Sequence, residues 1–413
     1  MEMKEPSYMI VIPMNEKDLD DPKVFMDNLA KNEHIKIKDL HVDDERGMIV
    51  DLEIDGAEYQ VALDPVDVDI PEFVRPEHAF SEEEFRMLDE ATVGLSVCMD
   101  FDGDGNRCFY DQLRFIDTLF PEMLAVLDCP SEKLLSGKWV SLAARSNVLP
   151  APRYLFTVQA ISDGGEEVWL HTHGLKRCGL YELEILCSNK ETFNDHYKMI
   201  ESFALRMLES DEPIEPGDGV LIGQAAGKAL TLTAVDWHEA LKFYPDATIG
   251  TEEDREDETH GEGTYVLMIY KNYRDEEQKR YTPVQDFNQF LDQNPMYMFS
   301  TEETKRMSDL AIERIPFMLK AFENKENKVL LKIGLVVDEK HWDGGKPQRE
   351  HIWFELKDVK DDKIVAQLTQ EPYYVSGIKE GDIGTYPFSD ITDWLVFTKN
   401  NRISPDDAYL LDT

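Results

Sequence analysis

Basic residues are scarce in this chain. It has 43 Lys and Arg against 84 Asp and Glu, a net charge of −41 over 413 residues. Nucleic-acid backbones and anionic membrane surfaces repel such a chain, so neither is an expected partner. Cysteine is scarce too: Cys98, Cys108, Cys129, Cys178 and Cys187 are odd in number, scattered and without a CxxC pair. That argues against a disulfide framework or a zinc ribbon and fits reduced thiols in a cytosol. No apolar run approaches the roughly 18–20 residues that a membrane helix needs. The opening MEMKEPSYMIVIPM lacks a signal-peptide pattern. The expectation is a soluble, cytoplasmic protein.

What is present is enough to fold. Hydrophobic residues make up 42% and aromatics 10%, which excludes wholesale disorder. The acidity is uneven, because residues 301–360 hold twelve basic and twelve acidic side chains. Such a shift marks a separate unit near the C-terminus. Alternating residues 48–54 and 57–63 around Asp55-Gly56 predict a hairpin. Ser81 with Glu84, and Ser300 with Glu303, have capping-box spacing. Apolar residues from Phe109 to Leu127 recur at three- and four-residue steps, predicting one long amphipathic helix. Residues 211–218, DEPIEPGD, form a Pro- and acid-rich joint. Residues 251–262 carry seven acidic side chains and one arginine, the pattern of a solvated loop. The predicted class is α+β, a mainly antiparallel sheet with helices on one face plus a small C-terminal β-rich domain. The expected divisions are 1–210, 211–300 and 301–413.

Three places carry candidate chemistry. His171 and His173 are two apart on a predicted strand, so both leave from one face. With Glu184 on the returning strand they offer two imidazoles and a carboxylate for a divalent ion such as zinc, with an open position for hydrolysis. The second place is DFDGDGNRCFYD, residues 100–111. Asp100, Asp102, Asp104, Asn106 and Asp111 fall at positions one, three, five, seven and twelve of a calcium loop, with Gly105 at the sharp turn. A final Asp in place of Glu, and Arg107 where an apolar anchor belongs, depart from that pattern. The alternative is a turn that caps the following helix. The third place is a C-terminal patch: His351 and Trp353 on one strand face, with Asp393 and Trp394 nearby, as a binding surface. Residues 219–228 (GVLIGQAAGK) lack the spacing and the Ser or Thr of a phosphate loop.

Residues 350–394 resemble a widespread bacterial domain of unknown function, the one catalogued as twenty-three fourteen. Glu350-His351-Ile352-Trp353, the Pro372 turn, Gly377 through Gly381-Asp382, and Ile391-Thr392-Asp393-Trp394 carry the likeness. The preceding chain, with its WLHTHGL…ELEIL hairpin, resembles the uncharacterised family catalogued as forty twenty-six. Neither resemblance implies an activity, a cofactor or a catalytic residue. The expectation is therefore a non-enzymatic binding protein whose acidic surface docks a basic protein partner. No cofactor is expected beyond a calcium or zinc ion at the places named. The alternative is a metal-dependent hydrolase at the His171/His173 hairpin.

Overall fold

The computed structural model describes residues 4–19, 22–43, 47–255, 260–291, 295–298, 300–361 and 363–411. The chain divides into two units, Met1–Ala144 with Pro150–Phe299, and Arg145–Leu149 with Ser300–Thr413. Among the described residues no helix is long and apolar enough to cross a membrane.

The first unit opens with β1 (Ser7–Pro13), SYMIVIP, buried at six of its seven positions. A strand so apolar belongs in a sheet interior. It pairs antiparallel with β5 (Val93–Met99) on one side and β6 (Met123–Asp128) on the other. The sheet runs β2 (Ile35–Asp43), β3 (Gly47–Ile54), β4 (Ala57–Asp67), β5, β1, β6, β7 (Lys133–Ser136), with Arg75–Pro76 at its end. Asp55 and Gly56, at φ 48° and 93°, make the β3–β4 turn with the primed geometry that suits a twisted hairpin. Helices α1 (Pro22–Lys31), α2 (Glu82–Glu90), α3 (Gly105–Leu119) and α4 (Gly137–Ala144) accompany this sheet. Both bonds of the Ser81/Glu84 capping box are formed at α2.

The long helix predicted to Leu127 stops at Leu119. Pro121 cannot continue it, and Met123 to Leu127 become the fully buried strand β6 instead. The apolar run fits either periodicity until the proline is weighed.

The second sheet of this unit runs Met296–Tyr297, β11 (Val220–Ala225), β12 (Lys228–Asp236), β13 (Thr264–Ile269), β10 (Glu182–Asn189), β9 (Glu167–His173), β8 (Thr157–Ile161). All neighbours are antiparallel except β10 and β13. Strands on both sides of the joint at 211–218 thus share one sheet, so no division of the fold falls there. Residues 219–228 are the β11–β12 hairpin. Helix α5 (Phe193–Glu209) packs on one face, where Leu170, Ile185, Phe203 and Leu232 form the core. The other face has its own apolar cluster of Trp169, Leu186, Val235, Trp237 and Val266.

The second unit is an antiparallel sheet in the order β17 (Ile383–Pro387), β16 (Lys363–Leu368), β15 (Arg349–Lys360), β14 (Lys328–Val336), β18 (Ile391–Phe397), ending in Arg402–Ile403. Helix α6 (Thr301–Glu313) lies against β18, and α7 (Ile315–Glu323) restarts the helix with Pro316 in its first turn. Ser300 caps α6 by accepting from the Glu303 amide.

Candidate metal centre

The site begins with strand periodicity. In β9, EVWLHTH, Val168 and Leu170 enter the core under α5. Trp169, His171 and His173 therefore leave from the opposite face. Across the sheet His171 lies between Gln159 of β8 and Glu184 of β10. His171 is 1% exposed and His173 7%.

The third imidazole comes from far along the chain. His260, in the segment before β13, places its ring centroid 4.7 Å from that of His171 and 5.4 Å from that of His173. The centroids of His171 and His173 are 4.8 Å apart. One nitrogen from each ring lies within 4.8 Å of the other two. A tetrahedral ion holding imidazoles at ~2.0 Å needs its nitrogens about 3.3 Å apart, so the rings must draw closer to hold one. Among the described residues neither ring nitrogen of His171 has a hydrogen-bond partner, a costly state for a buried polar group. Burial, then the neighbouring His173, His260 and Arg255, drop its pKa to about 2. The imidazole is neutral, as a ligand must be.

Carboxylates surround the histidines with separate duties. The cluster groups His171 and His173 with His260, and Glu184, expected above as the third ligand, is held instead by Arg255. Its two oxygens accept from Arg255 Nη1 and Nη2 at 2.7 and 2.5 Å. Register brings Glu184 opposite His171, but the guanidinium engages both of its oxygens. Glu182 accepts from the Thr172 hydroxyl and the Gly174 and Lys176 amides, tying the hairpin turn. Glu132, in the tight turn before β7, lies 3.8 Å from His173 Nδ1 and accepts from Gln159. Burial holds its carboxyl above the usual range.

Sequence reasoning missed His260 and Arg255, because seven acidic neighbours read as a solvated loop. Of these, Glu256, Asp257 and Glu258 lie outside the described residues. Arg255 itself is 6% exposed. A lone arginine and a lone histidine in so acidic a stretch were the available signal.

The calcium-loop residues do not converge. Gly105 opens α3, so Asn106 and Asp111 are helical, and Asp104 caps the helix by accepting from the Asn106 and Arg107 amides. Asp111 is buried and accepts from Tyr59, Arg107 and Arg114. Asp102 is exposed and paired with Lys4 at 2.7 Å, and Asp100 is exposed. Asn106 donates to the Pro150 carbonyl. A calcium loop needs these oxygens around one point, and the early helix start separates them.

The C-terminal patch is divided in a similar way. Trp353 and Asp393 both pair with Lys332 of β14, whose ammonium is 5.6 Å from the indole centroid. His351 is exposed, its Nδ1 2.9 Å from the Thr392 hydroxyl. Trp394 is not part of a surface. Adjacent strand residues point to opposite faces, so Trp394 enters the core with no exposure and donates to the Ala311 carbonyl.

Elsewhere, exposed Asp39 and His41 and half-buried Asp51 approach one another on β2 and β3. A cleft of about 930 Å³ lined by Lys228, Tyr270, Lys271 and Phe290 includes none of the three histidines.

Family models match in three places. "Protein of unknown function (DUF4026) N-terminal" covers residues 7–150 and "Protein of unknown function (DUF4026) C-terminal" covers 158–268. "Uncharacterized protein conserved in bacteria (DUF2314)" covers 316–405. No curated protein and no solved structure matches the chain. All three histidines fall in the second matched region. With the two DUF4026 models spanning more than half of its residues, the chain belongs to the DUF4026 family and carries a DUF2314 domain toward its C-terminus.

Proposed function

We propose that this chain is a metalloprotein that binds one zinc-class ion through His171, His173 and His260 and uses it for metal-assisted hydrolysis. The observation that carries the reading is the convergence of three imidazoles from two distant segments, with both nitrogens of buried His171 lacking a hydrogen-bond partner among the described residues. Neutral imidazoles suit zinc and its first-row neighbours better than calcium or magnesium. Three protein ligands leave a position free, the pattern of catalytic rather than structural zinc. When bound, such an ion polarises a carbonyl or phosphoryl oxygen or activates water.

The test is metal analysis of tag-free protein, followed by assays on activated carboxyl and phosphate esters. One zinc per chain is expected, with H171A and H260A weakening binding by at least about tenfold. Ester turnover should fall with the metal. Less than a tenth of an equivalent after zinc reconstitution overturns the metal site. Stoichiometric zinc without any turnover overturns the hydrolase while leaving the site.

A second reading rests on charge. The first unit has 62 acidic against 26 basic residues, a surface suited to docking a basic protein by electrostatic complementarity. Capture of a basic partner from lysate should weaken as salt rises, and binding that ignores salt removes this reading.

A further inference from the structure

Arg255 does more than neutralise a carboxylate. Its Nη1 donates to Glu184 and to the His260 carbonyl at 3.0 Å, while Nη2 donates to Glu184 and to the Gly250 carbonyl at 3.0 Å. One guanidinium therefore grips a fixed strand residue and the backbone at Gly250 and His260, five residues to either side of it. The indoles of Trp237 and Trp169 lie 4.6 and 5.5 Å from its carbon, where cation–π attraction adds to the hold.

Without that grip His260 has reason to leave. Residues 251–262 carry seven acidic side chains, and like charges so close in sequence disfavour order. Ordering backbone costs roughly 1–2 kcal/mol per residue. The entry is built for close approach: Gly250 has φ +71°, and a Cβ there would meet Leu186 at 2.6 Å and Trp169 at 3.2 Å. Glu184 is the anchor, fully buried and directly opposite His171. The device thus fixes His260 relative to the strand that bears the other two imidazoles.

We infer that Arg255, held by Glu184, is a positioning residue that presents His260 to the metal centre. The inference rests on the three-histidine reading and adds to it the reason why the third ligand is in place. A lysine cannot substitute, because a point charge lacks the planar fork that reaches a carboxylate and two carbonyls together.

The experiment uses the full chain with cobalt(II) and zinc(II) as probes. R255K should keep the wild-type far-UV circular dichroism and bind zinc roughly 10–100-fold more weakly, the usual cost of losing outer support. Its cobalt absorption should shift toward that of H260A, a change that mere loss of stability does not produce. R255K binding zinc within about twofold of wild type, with an unchanged cobalt spectrum, overturns the inference. Should R255K fail to fold, hydrogen exchange of the wild-type chain decides. Zinc should slow exchange in peptides covering 250–255 and 260–263, and unchanged exchange there counts against the latch. Wild-type protein that takes up no zinc instead overturns the three-histidine reading, before any variant is compared.

Discussion

His196 illustrates the cost of burying an imidazole without its charge. It lies fully buried in α5, with Nδ1 2.7 Å from the Ser188 hydroxyl and Nε2 2.8 Å from Asn288 Oδ1. The amide oxygen calls for a proton on Nε2, which leaves Nδ1 to accept from the serine. Burial lowers the pKa to about 4. The unfolded chain takes up its proton near pH 6.5, and the native state refuses it until about pH 4. Its contribution is thus complete above pH 6.5 and is lost as the pH falls, by about 1.4 kcal/mol per unit. The loss reaches roughly 3 kcal/mol near pH 4. Glu182 and Glu201, held above the usual carboxylate range by burial, act in the opposite sense, so the whole-protein curve mixes signs. The difference between wild type and H196Q isolates the imidazole. Urea midpoints from pH 7 to 4.5 should converge as the pH falls, and parallel curves would show that His196 does not titrate in this way.

At the scale of the element, α3 decides what the aspartates of 100–111 can do. Asp104 is spent on the helix N-terminus, and D104A should cost about 1 kcal/mol, the usual worth of a cap. Asp111 is spent on two arginines and a tyrosine, and D111A should cost about 2 kcal/mol by leaving the buried Tyr59 hydroxyl without its acceptor and Arg107 and Arg114 with Asp55 alone. Millimolar calcium in ~500 mM NaCl, where surface condensation is screened, should then shift the melting midpoint by less than about 1 °C, since only an ion that prefers the native state raises it. A larger rise, reversed by chelator, would restore the calcium loop. Much of this architecture was legible because it is local. Asp55-Gly56 turns where the motif predicts, Ser81 forms its box, and two-residue spacing puts His171 and His173 on one face. Even the row from His171 to Glu184 follows from hairpin register. What the sequence hid is non-local: Arg255 reaches Glu184 from 71 residues away, and His260 arrives from the same distant stretch. Residue type misled at Trp394 as well, because its half-buried neighbour Asp393 leaves from the other strand face while the indole closes the core beneath α6.

For the whole molecule, net charge determines how a metal experiment must be done. A chain at −41 gathers divalent cations around its carboxylates whether or not a built site exists. That diffuse population and a coordinated ion respond to opposite variables. Screening shortens from about 30 Å at 0.01 M salt to about 3 Å at 1 M, so salt strips ions held by the field of the surface. Neutral imidazole nitrogens hold an ion by coordination, which salt leaves largely intact, but protons compete for the same lone pairs. Equilibrium dialysis against zinc at pH 7.5 should therefore give more than one ion per chain in ~20 mM NaCl and settle at one in ~500 mM. The remaining ion should resist further salt, and H260A should hold well under one ion per chain under the same high-salt condition. If uptake instead falls smoothly to zero with salt, every ion was surface condensation, and the three histidines are a cluster with no metal to hold, two of them packed against Trp169.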